Sequence, residues 1–489
     1  MSLTTLAQHA PFVKCINCLE SNSPFQTLLF PTVTDLSLDQ VNVATYFDFI
    51  HRHSQTLVRL QLHQKFAGNA LTDQESDALW EIIASCSFLR SLSVARLQVT
   101  QQSWRKWCWP TWSRLTLLRL HFVEIGDASD PDQCHNSPAF EKGLWPTKIR
   151  HLELLLDNSC CLDQLALLKW CPELESLIWF PRQSSSQDNL GDFFAAQASH
   201  CPKLDDIKVE YGYSSTQESD LLFPFLFSRT EAGLAPLRSL KAAPNWAGDG
   251  TLRFLLSHLA STLQSLELFS ATHVRSPMVQ DLLCSLPLLE SFSARHIHEN
   301  DVVRDPRSWV CLRLIKFHIG IWMNPAKEQP SRPSTKDAVT LATTHDGTHP
   351  EAAYTTVLDV TTYEAGHWHM FERLGALSRI QHFDLGETIF LDSLRSSRQT
   401  THRDLQFGLK NGLDKLKGWH NLRTLNLTGT NQMMTEEDAW WMKKNWSRLE
   451  TLKGKLNSVQ NVADNACREI LKDIDIGIYS PGPPGVSLV

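Results

Sequence analysis

LKWCPELESLIWF (168–180) and SHCPKLDDIKVEY (199–211) decide how this chain is read. Both place Cys-Pro ahead of a leucine, and both then alternate apolar with polar residues. Taken singly, either cysteine could belong to a metal or redox site. Taken together, they mark a repeat. Proline stops a helix, and the cysteine before it is expected as the last buried residue of that helix's apolar stripe. No paired metal-ligand spacing surrounds Cys171 or Cys201.

Writing the unit as apolar-x-x-apolar-x-apolar recovers VTDLSL at 33, LVRLQL at 57, LRSLSV at 89, LTLLRL at 115, IRHLEL at 149 and LESLIW at 174. It continues with LDDIKV at 204, LRSLKA at 237, LQSLEL at 263, LESFSA at 289, LRLIKF at 312, IQHFDL at 380, LRTLNL at 422 and LETLKG at 449. Most of these fourteen units start 23 to 34 residues apart, the period of the longer leucine-rich repeats. Alternation turns Leu60 and Leu62 to one side of a strand and Gln61 to the other. Between strands the period changes to about 3.6, and in SDALWEIIASC the residues Leu79, Ile82, Ile83 and Cys86 make one helical stripe. Ser276-Pro277 reads as an N-cap with an N1 proline, and Thr435 with Asp438 as a capping box. The fold expected is α/β: a leucine-rich-repeat, ribonuclease-inhibitor-like solenoid with parallel strands on the concave face and helices outside.

Such a fold spends all 489 residues on one elongated core. The expected organisation is a solenoid over 1–323, a disordered Pro/Thr/Lys-rich insertion over 324–353, C-terminal repeats and a capping helix over 354–474, and a flexible tail over 475–489. The cap is read from Ala463, Cys467, Ile470, Leu471 and Ile474 on one helical face. A composition of 42% hydrophobic and 20% charged residues excludes wholesale disorder and a membrane class. Lys plus Arg number 46 against 53 Asp plus Glu, a net charge of −7, which argues against a nucleic-acid partner. MSLTTLAQHAPFVKC has no signal-peptide pattern, and the longest apolar runs fall short of a bilayer span. A cytoplasmic or nuclear protein without membrane partners is expected.

The chemical candidates are few. Cys15-x-x-Cys18 has the spacing of half a zinc site or a redox pair, but no second CxxC follows and His9, His51 and His53 would have to complete it in space. The expected alternative is buried cysteines in the first turn. His296/His298 and His367/His369 lack a third ligand and read as surface histidines. The tryptophans of SWRKWCWPTWSRL and DAWWMKKNWSRL read as packing residues, since Ala439, Met442, Trp446 and Leu449 share a helical stripe. No nucleophile elbow, P-loop, dinucleotide fingerprint or metalloprotease motif occurs, so neither an enzyme nor a cofactor is implied.

The run of repeats, and above all LRTLNLTGTNQMMTEEDAWWMKKNWSRLETLKGKLN (422–457), resembles the C-terminal part of fungal F-box and leucine-rich-repeat proteins. The resemblance implies the substrate-recognition part of a ubiquitin-ligase receptor, in which an F-box docks the cullin-ligase adaptor and the repeats hold the substrate. Residues 1–32 contain no F-box, and LAQHAPFVKCINC (6–18) instead resembles the first strand-helix unit that follows one. The alternative expectation is a free-standing repeat interaction protein with no ligase link.

If the template leucines point inward, the residues between them form the binding face. That predicted face comprises Arg59, Gln61, His63, Arg119, His121, Glu153, Ile178, Phe180, Lys208, Glu210, Lys241, Glu267, Phe269, Arg295, Lys316, His318, Asp384 and Asn426. Interspersed charge of both signs suits a folded protein partner, with Ile178, Phe180 and Phe269 as its apolar anchors.

Overall fold

The computed structural model describes residues 13–18, 30–64, 71–100, 103–125, 146–157, 167–180, 194–196, 199–209, 220, 222–242, 247–268, 274–323, 360–385 and 403–477. The expected insertion at 324–353 and residues 478–489 lie outside them. The chain divides into two compact units, Met1–His273 and Val274–Val489.

The strands of the first unit are β1 (Cys15–Cys18), β2 (Asp35–Val41), β3 (Arg59–Gln64), β4 (Ser91–Ala95), β5 (Gln98–Val99), β6 (Leu117–Ile125), β7 (His151–Asp157), β8 (Ser176–Trp179), β9 (Asp206–Val209), β10 (Ser239–Lys241) and β11 (Ser265–Leu268). All but β5 pair in parallel with the next along the chain, β4 with β6, while β5 pairs with β6. Because side chains alternate, each rung stacks like on like. Ile16, Leu36, Leu60, Leu92, Leu118, Leu152, Leu177, Ile207, Leu240 and Leu266 form one buried row, and the residues two further on form a second. Each fully buried leucine contributes about 1.5–3 kcal/mol, so the rows are the main support of the unit.

Helices close the other side of that core. Helix α1 (Asp73–Ser85) buries Leu79, Trp80 and Ile83, and Thr72 with Glu75 makes a reciprocal capping box at its start. In α2 (Leu222–Glu231) the stripe Leu222, Phe225, Leu226 and Arg229 is buried. Arg229 donates to the carbonyl oxygens of Cys201 (3.1 Å), Leu204 (2.7 Å) and Ala235 (2.8 Å), tying the helix to the segment ahead of β9 and to its own exit.

The second unit has β12 (Ser291–His298), β13 (Lys316–Met323), β14 (His382–Asp384), β15 (Arg403–Asp404), β16 (Thr424–Asn426), β17 (Thr451–Lys453) and β18 (Asp475–Gly477). Its parallel ladder runs β12, β13, β14, β16, β17, β18, and β15 adds an antiparallel pairing to the end of β13. The stretch from 475, expected as a tail, therefore begins as a strand. Phe292, Phe317, Phe383, Leu425 and Leu452 fill one core row. Lys316 pairs with Ser291 and His382, which puts Leu314 rather than Leu312 at the first template position; Leu314 is buried and Leu312 is 52% exposed. LETLKG loses its last leucine because Gly454 adopts φ +99° and a Cβ there would lie 2.6 Å from the Leu427 carbonyl carbon.

Helices α3 (Ser276–Ser285), α4 (Val360–Gly375), α5 (Glu436–Asn445) and α6 (Asn461–Ile470) cover this core. The Thr435–Asp438 capping box is present. Ser276 is not a cap; its hydroxyl accepts the His298 N–H at 2.7 Å, and Arg275 occupies the N-cap position. Of the expected stripe, Cys467 in α6 and Leu471 just after it are fully buried, while Ala463, Ile470 and Ile474 are half-buried.

Each unit is thus a leucine-rich-repeat solenoid, with a parallel strand ladder, a leucine-lined core and helices behind it. All fourteen sequence units carry a strand.

Candidate functional site: the open strand face

Strand side chains that do not enter the core form three rows on the helix-free face of the first unit. The first runs Asp35, Arg59, Ser91, Leu117, His151, Ser176, Asp206, Ser239 and Ser265. The second runs Ser37, Gln61, Ser93, Arg119, Glu153, Ile178, Lys208, Lys241 and Glu267. The third is shorter: Asp39, His63, Ala95, His121 and Leu155. Phe180 follows β8 at the corresponding place.

Opposite charges meet across the rungs. Arg59 Nε lies 3.1 Å from Asp35 and Lys241 Nζ 2.8 Å from Glu267, while along β9 itself Lys208 Nζ lies 3.5 Å from Asp206. At the centre, Glu153 receives Arg119 Nε on one oxygen at 3.0 Å and His121 Nε2 on the other at 2.8 Å. Burial would raise the Glu153 pKa, but the His121 hydrogen bond and the charges of His121, Arg119 and Lys208 outweigh it and hold the carboxyl below its ordinary value. The Phe180 ring meets the His121 ring edge-on at 6.2 Å.

Two strands along, His63 Nδ1 is 3.1 Å from Asp39 Oδ1, and Gln61 Nε2 is 3.3 Å from His63 Nε2. An Nδ1–H donor and an Nε2 acceptor satisfy both contacts in the neutral ring. Burial first, then the charges of His121 and Arg96, lower the His63 pKa against the opposing pull of Asp39.

Two backbone outliers flank this cluster. Arg96 (φ 60°) and Phe122 (φ 51°) adopt the left-handed region without being glycine, and the Arg96 guanidinium lies 5.8 Å from the Phe122 ring centre. Phe122 is the extra residue of a bulge in β6, between His121 and Val123. Such conformations cost on the order of 1–3 kcal/mol and concentrate where a surface is shaped for use.

In the second unit the predicted residues form a separate chain. His318 Nδ1 is 3.3 Å from Ser293 Oγ, its Nε2 is 3.9 Å from Asp384, and Asn426 donates to Asp384 at 3.0 Å. Arg295 is the bulged residue of β12, and Lys316 falls in the row equivalent to Arg59 rather than Gln61. Glu210 and Phe269 lie outside the described residues. The sequence reading passed over Asp35, Asp39, Asp206, Arg96 and Phe122. The first three occupy the same template positions as residues it chose and were recoverable; the last two carry no compositional signal.

The other chemical candidates resolve into packing. Cys15 is exposed and Cys18 buried, because residues three apart on a strand face opposite ways. The expectation of two buried cysteines therefore fails for Cys15. His53 sits in the core with its ring 4.6 Å from Phe49. His367 and His369 lie on helix α4, one buried and one exposed, and His296 stacks on Trp322 at 3.9 Å. Cys171 and Cys201 are buried, and burial pushes both thiols up, Cys171 to about 11. Trp109 and Trp112 are buried with ring centres 5.6 Å apart; Trp446 is buried as expected, while Trp440 is exposed. Among the described residues no group of three or more His, Cys, Asp or Glu could hold a metal ion.

No protein-family model and no curated protein matches the chain. Solved structures do match, at low identity. An LRR protein of Leptospira interrogans is 11% identical with a TM-score of 0.39, covering 97% of this chain and 98% of that one. The complex of TLR13 with ssRNA13 gives 11% and 0.31, over 94% of this chain and 70% of that one. The fold assignment rests on the ladder itself. No helix among the described residues is long and apolar enough to cross a membrane.

Proposed function

We propose that the chain is a protein-binding repeat scaffold, not an enzyme, whose partner docks on the open face of the first unit around Arg119, His121, Glu153, Ile178 and Phe180. The observation that carries this reading is the Arg119–Glu153–His121 bridge with Phe180 packed on its histidine. Its charges already compensate one another, so docking needs hydrogen-bonding and apolar groups rather than a strong opposing field. Half-exposed Ile178 and Phe180 supply the apolar anchors, and polar neighbours held across rungs lose little entropy on binding. A photo-crosslinking residue at 180 is expected to trap a protein partner that the same residue at 227, on the exposed side of α2, does not. Trapping at 227 alone would place binding on the helices instead.

The finer reading is that this scaffold is the substrate-recognition part of an F-box-type ubiquitin ligase receptor. It is supported by the resemblance of residues 422–457 and by nothing in the geometry. Co-purification with the cullin-ligase adaptor from cells expressing the native gene supports it; its absence favours the free-standing interaction protein.

A further inference from the structure

We propose that the strand-start rim of the second unit is a docking strip for an acidic segment of a partner polypeptide, separate from the open face of the first unit and independent of that reading. The backbone ladder extends one residue ahead of the strands, through the Ile315 N–H to Glu290 O, the Gln381 N–H to Ile315 O, the Arg423 N–H to Gln381 O and the Glu450 N–H to Arg423 O, each 2.8–2.9 Å. Successive turns therefore stack rung on rung, about 4.8 Å apart. Two residues before those rungs stand Arg313, Arg379, Asn421 and Arg448; one residue after them stands Lys316, beside His382.

Only some of the same positions in the first unit are compensated by carboxylates; Arg90 donates to the Arg114 carbonyl at 3.2 Å, and Arg114 to the Ile83 and Ala84 carbonyls. Lys203 pairs with Glu173, Arg150 with Glu175 at 3.8 Å, and Arg238 with Asp205 at 3.7 Å. In the second unit Arg423 meets Glu450 at 3.6 Å and Arg448 donates to Asn421 at 2.9 Å, but Arg313, Lys316 and Arg379, all exposed, form no ion pair among the described residues. Lys316 and Arg423 both act on His382, whose pKa is lowered by burial first and by these two charges next. Like charges on adjacent rungs destabilise a sheet, and this chain carries a net charge of −7. A run of uncompensated cations here is therefore explained by a partner that supplies the missing carboxylates. Guanidinium forks match carboxylates two atoms to two, and an extended acidic peptide spans the rungs at a rise of about 3.3 Å per residue.

The test uses the full chain and three fluorescent probes: octaglutamate, octaglutamine and a single-stranded DNA octamer. Octaglutamate is expected to bind with an affinity that falls as salt rises, and octaglutamine not to bind. Arg313→Glu plus Arg379→Glu is expected to weaken octaglutamate at least tenfold. The charge-matched control Lys444→Glu plus Lys455→Glu, on exposed lysines outside the rim, should weaken it less than twofold. Circular dichroism on both variants confirms folding at these exposed sites. Equal losses in the two variants, no binding of octaglutamate, or DNA binding at least as tight as octaglutamate would each overturn the proposal.

Discussion

Arg119 and Glu153 meet across the β6–β7 rung with Nε 3.0 Å from Oε2, and His121 occupies the other carboxylate oxygen from the same strand as Arg119. One acid thus fixes a guanidinium and an imidazole on the open face of the ladder. A double-mutant cycle of Arg119→Ala and Glu153→Ala is expected to give a coupling of about 0.2–1 kcal/mol, the range for a partly exposed pair. Urea unfolding measures it, and a coupling indistinguishable from zero would remove the bridge from the account.

Stability should fall on acidification. The His53 pKa lies below its ordinary value, through burial first and the Arg52 charge next. The unfolded state then binds a proton near pH 6.5 that the folded state resists, so unfolding free energy drops as pH falls through that value. His63 and His382 shift the same way, both chiefly by burial. Urea unfolding at pH 7.5 and 5.5 is expected to show a smaller loss for His53→Phe than for the wild type, since the Phe30 and Phe49 rings already pack on this site. An unchanged pH dependence would contradict the burial argument.

Trp446 is buried, stacks with Trp419 at 6.2 Å and donates its indole N–H to Leu416 O at 3.1 Å. Trp446→Ala should cost about 3–5 kcal/mol, and Trp446→Phe less, because it loses the hydrogen bond but keeps most of the ring. Chemical denaturation followed by circular dichroism reads both. A neutral Trp446→Ala would mean that the C-terminal turns do not depend on this core.

Arg229 holds three carbonyl oxygens with two guanidinium nitrogens. Arg229→Met strands those carbonyls in a buried place and should destabilise by about 3–5 kcal/mol. Arg229→Lys should not restore full stability, since a single ammonium lacks the fork. Equal stability of the lysine variant and the parent would show that charge, not geometry, matters here.

The sequence displayed the ladder well because Leu60 and Leu62, or Leu266 and Leu268, obey a period of two that only a strand satisfies. It displayed caps where the motif is local, as at Thr435. It hid what depends on register. Leu312 fits the template letter by letter, yet pairing of Lys316 with His382 shows that Leu314 is the core residue. The contacts of Glu153 with Arg119 and His121 join residues more than thirty positions apart, and no spacing rule predicts them. Arg96 and Phe122 take glycine-like conformations without glycine, so the bend at Arg96 and the bulge at Phe122 leave no mark in composition. The antiparallel strand β15 has two residues, too few for any pattern.

Docking of a protein partner on the open strand face, and not on the helical side, is the proposal with the sharpest direct test. Quantitative mass spectrometry of proteins retained from cell extract tests it by comparing the wild type with Ile178→Asp plus Phe180→Asp and with Phe223→Asp plus Phe227→Asp, all three matched for folding by circular dichroism. The wild type's enriched partner is expected to be lost at least tenfold with the strand-face variant and kept with the helix-face variant. Retention at full yield by the Ile178/Phe180 variant would contradict it.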